Sequence, residues 1–146
     1  MSEEKHRFTT SLKWESQRRG RLSSEGLPEL TVATPPEFSG GHSGIWSPEH
    51  LFVAAAEACL MTTFLAVAEN SKLEYLEYSS EAEGTVEKTD QGYLVTEITI
   101  HPRVVVKEAS ALERARRVVE KAEQRCLISN SMKTRVSLEP TIVVGA

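Results

Sequence analysis

Apolar and polar residues alternate over short stretches near the start of the chain and over two long stretches past its middle, with two segments of helical period between and after them. Residues 8–14 alternate loosely and predict a strand. Gln17-Arg18-Arg19-Gly20 reads as a turn, and Arg21 opens a second strand. Residues 27–33 form a third short extended segment, stopped by Pro35-Pro36. Ser39-Gly40-Gly41-His42-Ser43-Gly44 is rich in turn residues and predicts a loop. Ser47-Pro48-Glu49 then marks a helix start. The serine caps, proline suits the first helical position, and glutamate complements the positive end of the helix dipole. That helix is expected over residues 48–70. Residues 75–88 and 93–106 alternate well around Asp90-Gln91-Gly92 and predict a hairpin of two long strands. Residues 108–125 return to helical period, with Ala111, Leu112, Ala115, Val118, Val119 and Ala122 on one face. Cys126 falls at or just past that helix, and residues 135–144 close the chain as a last strand. The order β-β-β-α-β-β-α-β predicts an α+β fold, with a mostly antiparallel sheet and two packed helices in a single domain over residues 1–146.

The first helix carries a second possibility. Residues 51–68 hold Glu57 as their only charge, which approaches the length and apolarity of a membrane span. The segment is rich in alanine, includes two threonines, and lacks aromatic belts and a flanking Lys/Arg bias. A helix apolar all round is equally expected at a protein core, where alanine lets neighbours approach closely, and a buried central helix is the better account. Composition agrees with an ordinary globular protein, at 40% apolar and 26% charged residues over 146 positions. With a formal net charge of -4 and no basic run beyond Arg18, Arg19 and Arg21, a nucleic-acid partner is not expected. The first seven residues are polar and charged with no apolar stretch, which points to a reducing cytoplasm.

Two cysteines in such a compartment are buried thiols, a redox pair or metal ligands. None of the four histidines completes a zinc-like spacing, so metal is not expected. Cys59 lies mid-helix among Ala55, Ala56, Thr62 and Thr63, where a cysteine often serves as a small hydrophobe. Three features favour chemistry instead. Cys126 sits on a second helix that can pack close enough for a disulfide. Arg18, Arg19 and Arg21 cluster at a turn, and a thiol needs a nearby cation to ionise at neutral pH. Glu49 can orient an arginine through a two-pronged pair, although a first-turn acid is also favoured by the helix dipole alone. Glu49 and Cys59 stand ten residues apart on one helix, about 15 Å along its axis. A small site that uses both therefore draws one of them from a second copy of the chain, which predicts a homodimer.

At these residues the chain resembles the OsmC/Ohr family of hydroperoxide-reducing proteins. Ser47-Pro48-Glu49-His50-Leu51 and the following alanine-rich stretch to Cys59 are similar to the family's Pro-Glu-x-Leu helix leading to its reactive cysteine. Thr34-Pro35-Pro36-Glu37-Phe38-Ser39-Gly40-Gly41 resembles the loop before that helix, and Cys126-Leu127-Ile128-Ser129-Asn130 resembles its Cys-x-x-Ser-Asn motif. Arg18-Arg19-Gly20-Arg21, followed by Ser23-Ser24-Glu25-Gly26, looks like its arginine turn. The resemblance implies an intertwined homodimer with long central helices wrapped by sheet. It implies Cys59 as attacking thiolate, Cys126 as resolving thiol, Arg18 as the cation supporting the thiolate, and Glu49 as the carboxylate orienting it. The reaction implied is reduction of organic hydroperoxides, or of hydrogen peroxide. No bound cofactor is implied, only an external thiol reductant, dihydrolipoyl or a low-molecular-weight dithiol. His42, Trp46, His50 and Glu57 are not matched to either main branch. An apolar pocket formed by Trp46, Phe52 or Phe38 would favour organic substrates. A non-enzymatic redox sensor or a ligand- or partner-binding module on the same fold, and a dimer with two inert core thiols, are the competing readings.

Overall fold

The computed structural model describes residues 4–145, and these divide into two compact units, one ending at Leu51 and the other beginning at Phe52. In the first unit, β1 (Ser11–Ser16), β2 (Arg19–Ser23) and β3 (Leu30–Ala33) form an antiparallel sheet in that order. The β1–β2 turn places Gln17 in the left-handed region at φ 51°, and the Trp14 indole N–H donates to its carbonyl at 3.0 Å. Register puts Leu12, Leu22 and Leu30 in one cross-strand row and Trp14, Gly20 and Val32 in the next. Strand alternation brings both rows to one face, which is therefore apolar. Leu12 and Trp14 nevertheless stay 67% and 72% exposed. The loop after β3 folds back through hydrogen bonds from His42 N–H to the Thr34 carbonyl and from Gly41 N–H to the Phe38 carbonyl. A Cβ on Gly41 would run into the Pro35 carbonyl, so this close approach needs glycine.

Helix α1 (Pro48–Asn70) begins in the first unit and continues through the second. Its start is built as the sequence predicts. Ser47 is fully buried and its Oγ accepts the His50 N–H at 3.1 Å, which satisfies a first-turn donor. His50 adds the return half of a capping box. Its Nδ1 accepts the Ser47 N–H at 3.2 Å and lies 2.7 Å from Ser47 Oγ.

In the second unit, β4 (Glu77–Thr89) and β5 (Gly92–Val106) form the expected long antiparallel hairpin. A short 3₁₀ turn (Ala109–Ala111) leads into α2 (Leu112–Arg125), and α3 (Leu127–Asn130) follows directly. The last expected strand is two strands, β6 (Arg135–Leu138) and β7 (Thr141–Val144), divided at Glu139-Pro140. Proline has no N–H to give a ladder, so the extended run breaks there. Both strands pair parallel to β5, making this sheet mixed. The geometry requires a crossover between parallel neighbours, and α2 supplies it. Tyr78, Ser80, Ala82 and Gly84 share one face of β4 by alternation. Tyr78 packs on Phe64, and a Cβ at Gly84 would meet Val53, so α1 lies close along this strand.

The core gathers α1, β5 and α2 around Phe64, Ile98, Ile100, Val104, Val106 and Val119. One expectation needs correction. The helix anticipated as buried all round is covered on one face only, at Ala56, Leu60, Phe64, Val67 and Ala68. Met61 and Leu65, on its other side, remain 38% and 37% exposed.

Candidate active site

Cys59 and Cys126 come together in the second unit as free thiols whose side chains hydrogen-bond to each other. Cys59 is partly exposed and Cys126 is buried. Their surroundings differ in a way that sets their acidity apart. Burial pushes the Cys59 thiol up, but hydrogen bonds from the Ile128 backbone, the Cys126 side chain, the Thr63 hydroxyl and the Leu127 backbone outweigh it, leaving Cys59 below its ordinary value. Thr63 stands one helical turn away, with Oγ1 3.9 Å from Sγ. Burial raises the Cys126 thiol, and the Cys59 charge raises it further, against hydrogen bonds from the Ser129 side chain and backbone that lower it. Its S–H points to the Ala56 carbonyl at 4.0 Å. The extended backbone of Cys126, at φ −66° and ψ 106°, breaks helical geometry between α2 and α3 and lets the α3 amides face Cys59. The pair is thus arranged as one thiol eased toward its anion and one held protonated beside it.

The first unit holds the other predicted residues. Arg18 occupies the β1–β2 turn beside Gly40 and borders a cleft of about 350 Å³ with Leu12, Trp14, Val32 and Pro48. Arg19 donates to Ser16 Oγ at 3.2 Å, while its Nε is buried without a partner. Arg21 is engaged by Glu15 at 2.6 Å and by Glu29 at 3.6 Å, which leaves it the least available of the three. Glu49 lies in the first turn of α1, and its buried Oε1 has no partner. Among the described residues no ion pair joins Glu49 to an arginine. An orphaned buried carboxylate oxygen is costly, so Glu49 is a group still owed a donor.

The model for OsmC-like proteins matches residues 40–141, most of the chain. The chain belongs to the OsmC-like family. An organic hydroperoxide resistance protein of Xanthomonas axonopodis is 28% identical over 143 residues, spanning 97% of this chain and 98% of that protein. The uncharacterized protein YmaD of Bacillus subtilis is 29% identical over 139 residues, spanning 92% and 91%. Among solved structures, an OsmC-like protein of unknown function from Vibrio cholerae superposes with a TM-score of 0.84 at 23% identity, over 93% of this chain and 99% of that one. At that identity the likeness establishes the fold.

Within the OsmC-like frame, several groups around the thiols were not singled out by sequence. The Leu127 and Ile128 amides are invisible to a reading of side chains, and α3 is too short to announce itself by period. Thr63 had a signal, its i+4 spacing from Cys59. Glu57 stood out as the one charge over residues 51–68; it accepts a hydrogen bond from Ser80 Oγ at 2.6 Å. Trp46 packs edge-on against His50 at 6.0 Å between centroids. Phe52 borders a different hollow of about 590 Å³ with Tyr93, Leu94, Val95 and Met132.

Proposed function

We propose that this OsmC-like protein is a thiol peroxidase in which Cys59 is oxidised by a hydroperoxide and Cys126 resolves it to a disulfide. The observation that carries the reading is the opposite tuning of two neighbouring thiols, Cys59 toward the thiolate and Cys126 away from it. A thiolate is the nucleophile, so the partly exposed cysteine is the one fitted to attack. The name of the Xanthomonas relative supports a hydroperoxide as substrate, with the organic class preferred.

The Cys59 thiolate attacks the terminal oxygen of the hydroperoxide, the O–O bond breaks, and the alkoxide departs to become an alcohol. A guanidinium near that oxygen supports the developing charge, the role proposed for Arg18 with Glu49 orienting it. Cys59 is left as a sulfenic acid. Cys126 then attacks the Cys59 sulfur, water leaves, and the disulfide forms. An external dithiol attacks that disulfide and takes the oxidation away, returning both cysteines to thiols.

The proposed active unit is a homodimer. Ala54, Ala58, Met61 and Leu65 follow a four-three-four spacing along the uncovered side of α1, the pattern of a helix–helix seam. The orphaned Glu49 oxygen and the ten-residue separation of Glu49 from Cys59 along α1 both suit a site completed by a second copy.

The test is consumption of cumene hydroperoxide and hydrogen peroxide by the reduced protein with dithiothreitol, run on wild type, Cys59→Ser and Cys126→Ser. Turnover that vanishes in Cys59→Ser is expected, with faster use of the organic peroxide. Cys126→Ser should react once and then stall. A wild type no faster than Cys59→Ser would overturn the enzyme and leave a slow redox sensor.

A further inference from the structure

The outward side of α2 takes no part in the reaction as described, yet it carries a row of charge. Arg114, Arg117, Lys121 and Arg125 are all exposed and recur at three- and four-residue steps. At 3.6 residues per turn they fall within about 80° of the helix and extend about 16 Å along it. Among the described residues none of the four is in an ion pair. Glu113 and Glu120, with Arg116 beyond them, form the neighbouring stripe. The basic row begins at a hollow of about 300 Å³, which Arg114 borders with Lys72, Lys107, Ser110, Glu74 and Glu108. Lys72 occupies the left-handed position after α1, at φ 56°, where glycine or asparagine is usual. Arg114 donates to the Ser71 carbonyl, which ties this end of the row to the end of α1. The other end of the row is at the thiols. Cys126 follows Arg125 directly, and its sulfur lies 4.0 Å from the Ala56 carbonyl, about one turn before Cys59 on α1. Leu127, the next residue, is 69% exposed.

An unpaired cationic row on a chain of net charge -4 gives the molecule one side that steers acidic surfaces toward it. We propose that this row on α2 docks an acidic protein that carries the dithiol reductant, and so delivers the dithiol to the Cys59–Cys126 disulfide. This deepens the peroxidase reading and rests on it. The row is narrow, and that decides the class of partner. A lipid surface or a nucleic-acid duplex presents a broad field of negative charge, which would also meet Glu113 and Glu120. An acidic protein element can match the row and avoid its neighbours. A helix that lies on a membrane also turns its apolar face outward, whereas α2 buries its own at Ala115, Val118, Val119 and Ala122. With the partner's acids along α2, its dithiol arrives beside Leu127 and the disulfide. One partner thiolate attacks the Cys59 sulfur, the S–S bond breaks, and Cys126 leaves as a thiolate that takes a proton. The second partner thiol then attacks the mixed disulfide and releases Cys59. The partner leaves as a disulfide, and both cysteines are thiols again.

The experiment starts from full-length protein whose cysteine pair has been closed with diamide, so that it does not depend on a peroxide. Reduction is followed by alkylation and mass with three reductants: dithiothreitol, a Cys-x-x-Cys peptide flanked by glutamates, and the same peptide flanked by glutamines. Wild type is compared with the double variant Arg117→Glu, Lys121→Glu. In wild type at low salt the glutamate peptide should act about tenfold faster than the glutamine peptide, and the advantage should fade in high salt. In the double variant the advantage should disappear or reverse, while dithiothreitol reduces both proteins at one rate. Equal rates for the two peptides on wild type, or an advantage that survives in the double variant, overturn the proposal. Slower reduction of the variant by dithiothreitol as well marks a damaged fold or disulfide and overturns it too, as does a pair that diamide cannot close. Co-sedimentation with phosphatidylserine vesicles that the double variant loses, without any peptide advantage, assigns the row to a membrane instead. A pair that diamide closes but cumene hydroperoxide does not sinks the peroxidase reading alone, which keeps the two failures distinct.

Discussion

Cys59 owes its acidity to a set of hydrogen bonds gathered at its sulfur. The backbone N–H of Ile128 lowers it most, and the Cys126 thiol, the Thr63 hydroxyl and the Leu127 backbone add to that. Cys126 lacks that help and is raised by burial first. The consequence for pH follows in sign. A lowered thiol is largely thiolate at a pH where a raised one is still protonated. In reduced protein, iodoacetamide should therefore label Cys59 well before Cys126. The Cys59 rate should level off below the ordinary thiol range, near 8.5, and the Cys126 rate should still be climbing above it. Alkylation across pH 5 to 10 with peptide mass analysis reads both profiles. Equal rates at both positions would remove the asymmetry on which the proposed chemistry stands. Choosing among Arg18, Arg19 and Arg21 also belongs to this scale. Arg21 is held by two carboxylates and Arg19 leans on Ser16, which favours Arg18.

The elements depend on local rules to different degrees. Ser47 and His50 close the start of α1 through a reciprocal pair of hydrogen bonds. Ser47→Ala removes an acceptor in a fully buried setting and should cost about 1 kcal/mol or slightly more. For a chain of this size that is about 3 °C in Tm by calorimetry, and an unchanged Tm would mean the cap is idle. This start was readable because Ser47, Pro48 and Glu49 each signal it separately. The β4–β5 hairpin was readable for the same kind of reason, with clear alternation around Asp90-Gln91-Gly92. The first strand was placed slightly early, since Phe8 alternates with Leu12 and Trp14 yet lies ahead of the ladder. The split between β6 and β7 turns on Pro140, a breaker that was visible but overridden by the apolar residues on either side. Their parallel pairing was not legible, because alternation reports which residues share a face and not which neighbour they join. Of the candidate site, the cysteines, arginines and Glu49 were legible as residue types. The α3 amides were not, since they gain their meaning from Cys59, a neighbour distant in sequence.

At the scale of the whole molecule, two pairs among the exposed apolar residues stand on regular elements with no cover. Leu12 and Trp14 stand on the first sheet, and Met61 and Leu65 on the free side of α1. Apolar side chains left open on a regular element are typical of a face covered by another chain. A charge at Leu65 should tell, because it sits at an exposed position where the fold of one copy has little to lose. Leu65→Glu is expected to sediment as a folded monomer and to lose peroxide consumption to the level of Cys59→Ser. A variant that keeps the wild-type mass and turnover would place the pairing surface elsewhere. The hydrogen bonds that lower Cys59 carry a further meaning for how such a protein is made. The thiol proposed to react is laid down well before the Leu127 and Ile128 amides that lower it. A nascent or prematurely ended chain therefore carries a plain cysteine, and the proposed chemistry becomes available only when synthesis has passed α3 and the fold has closed around Cys59.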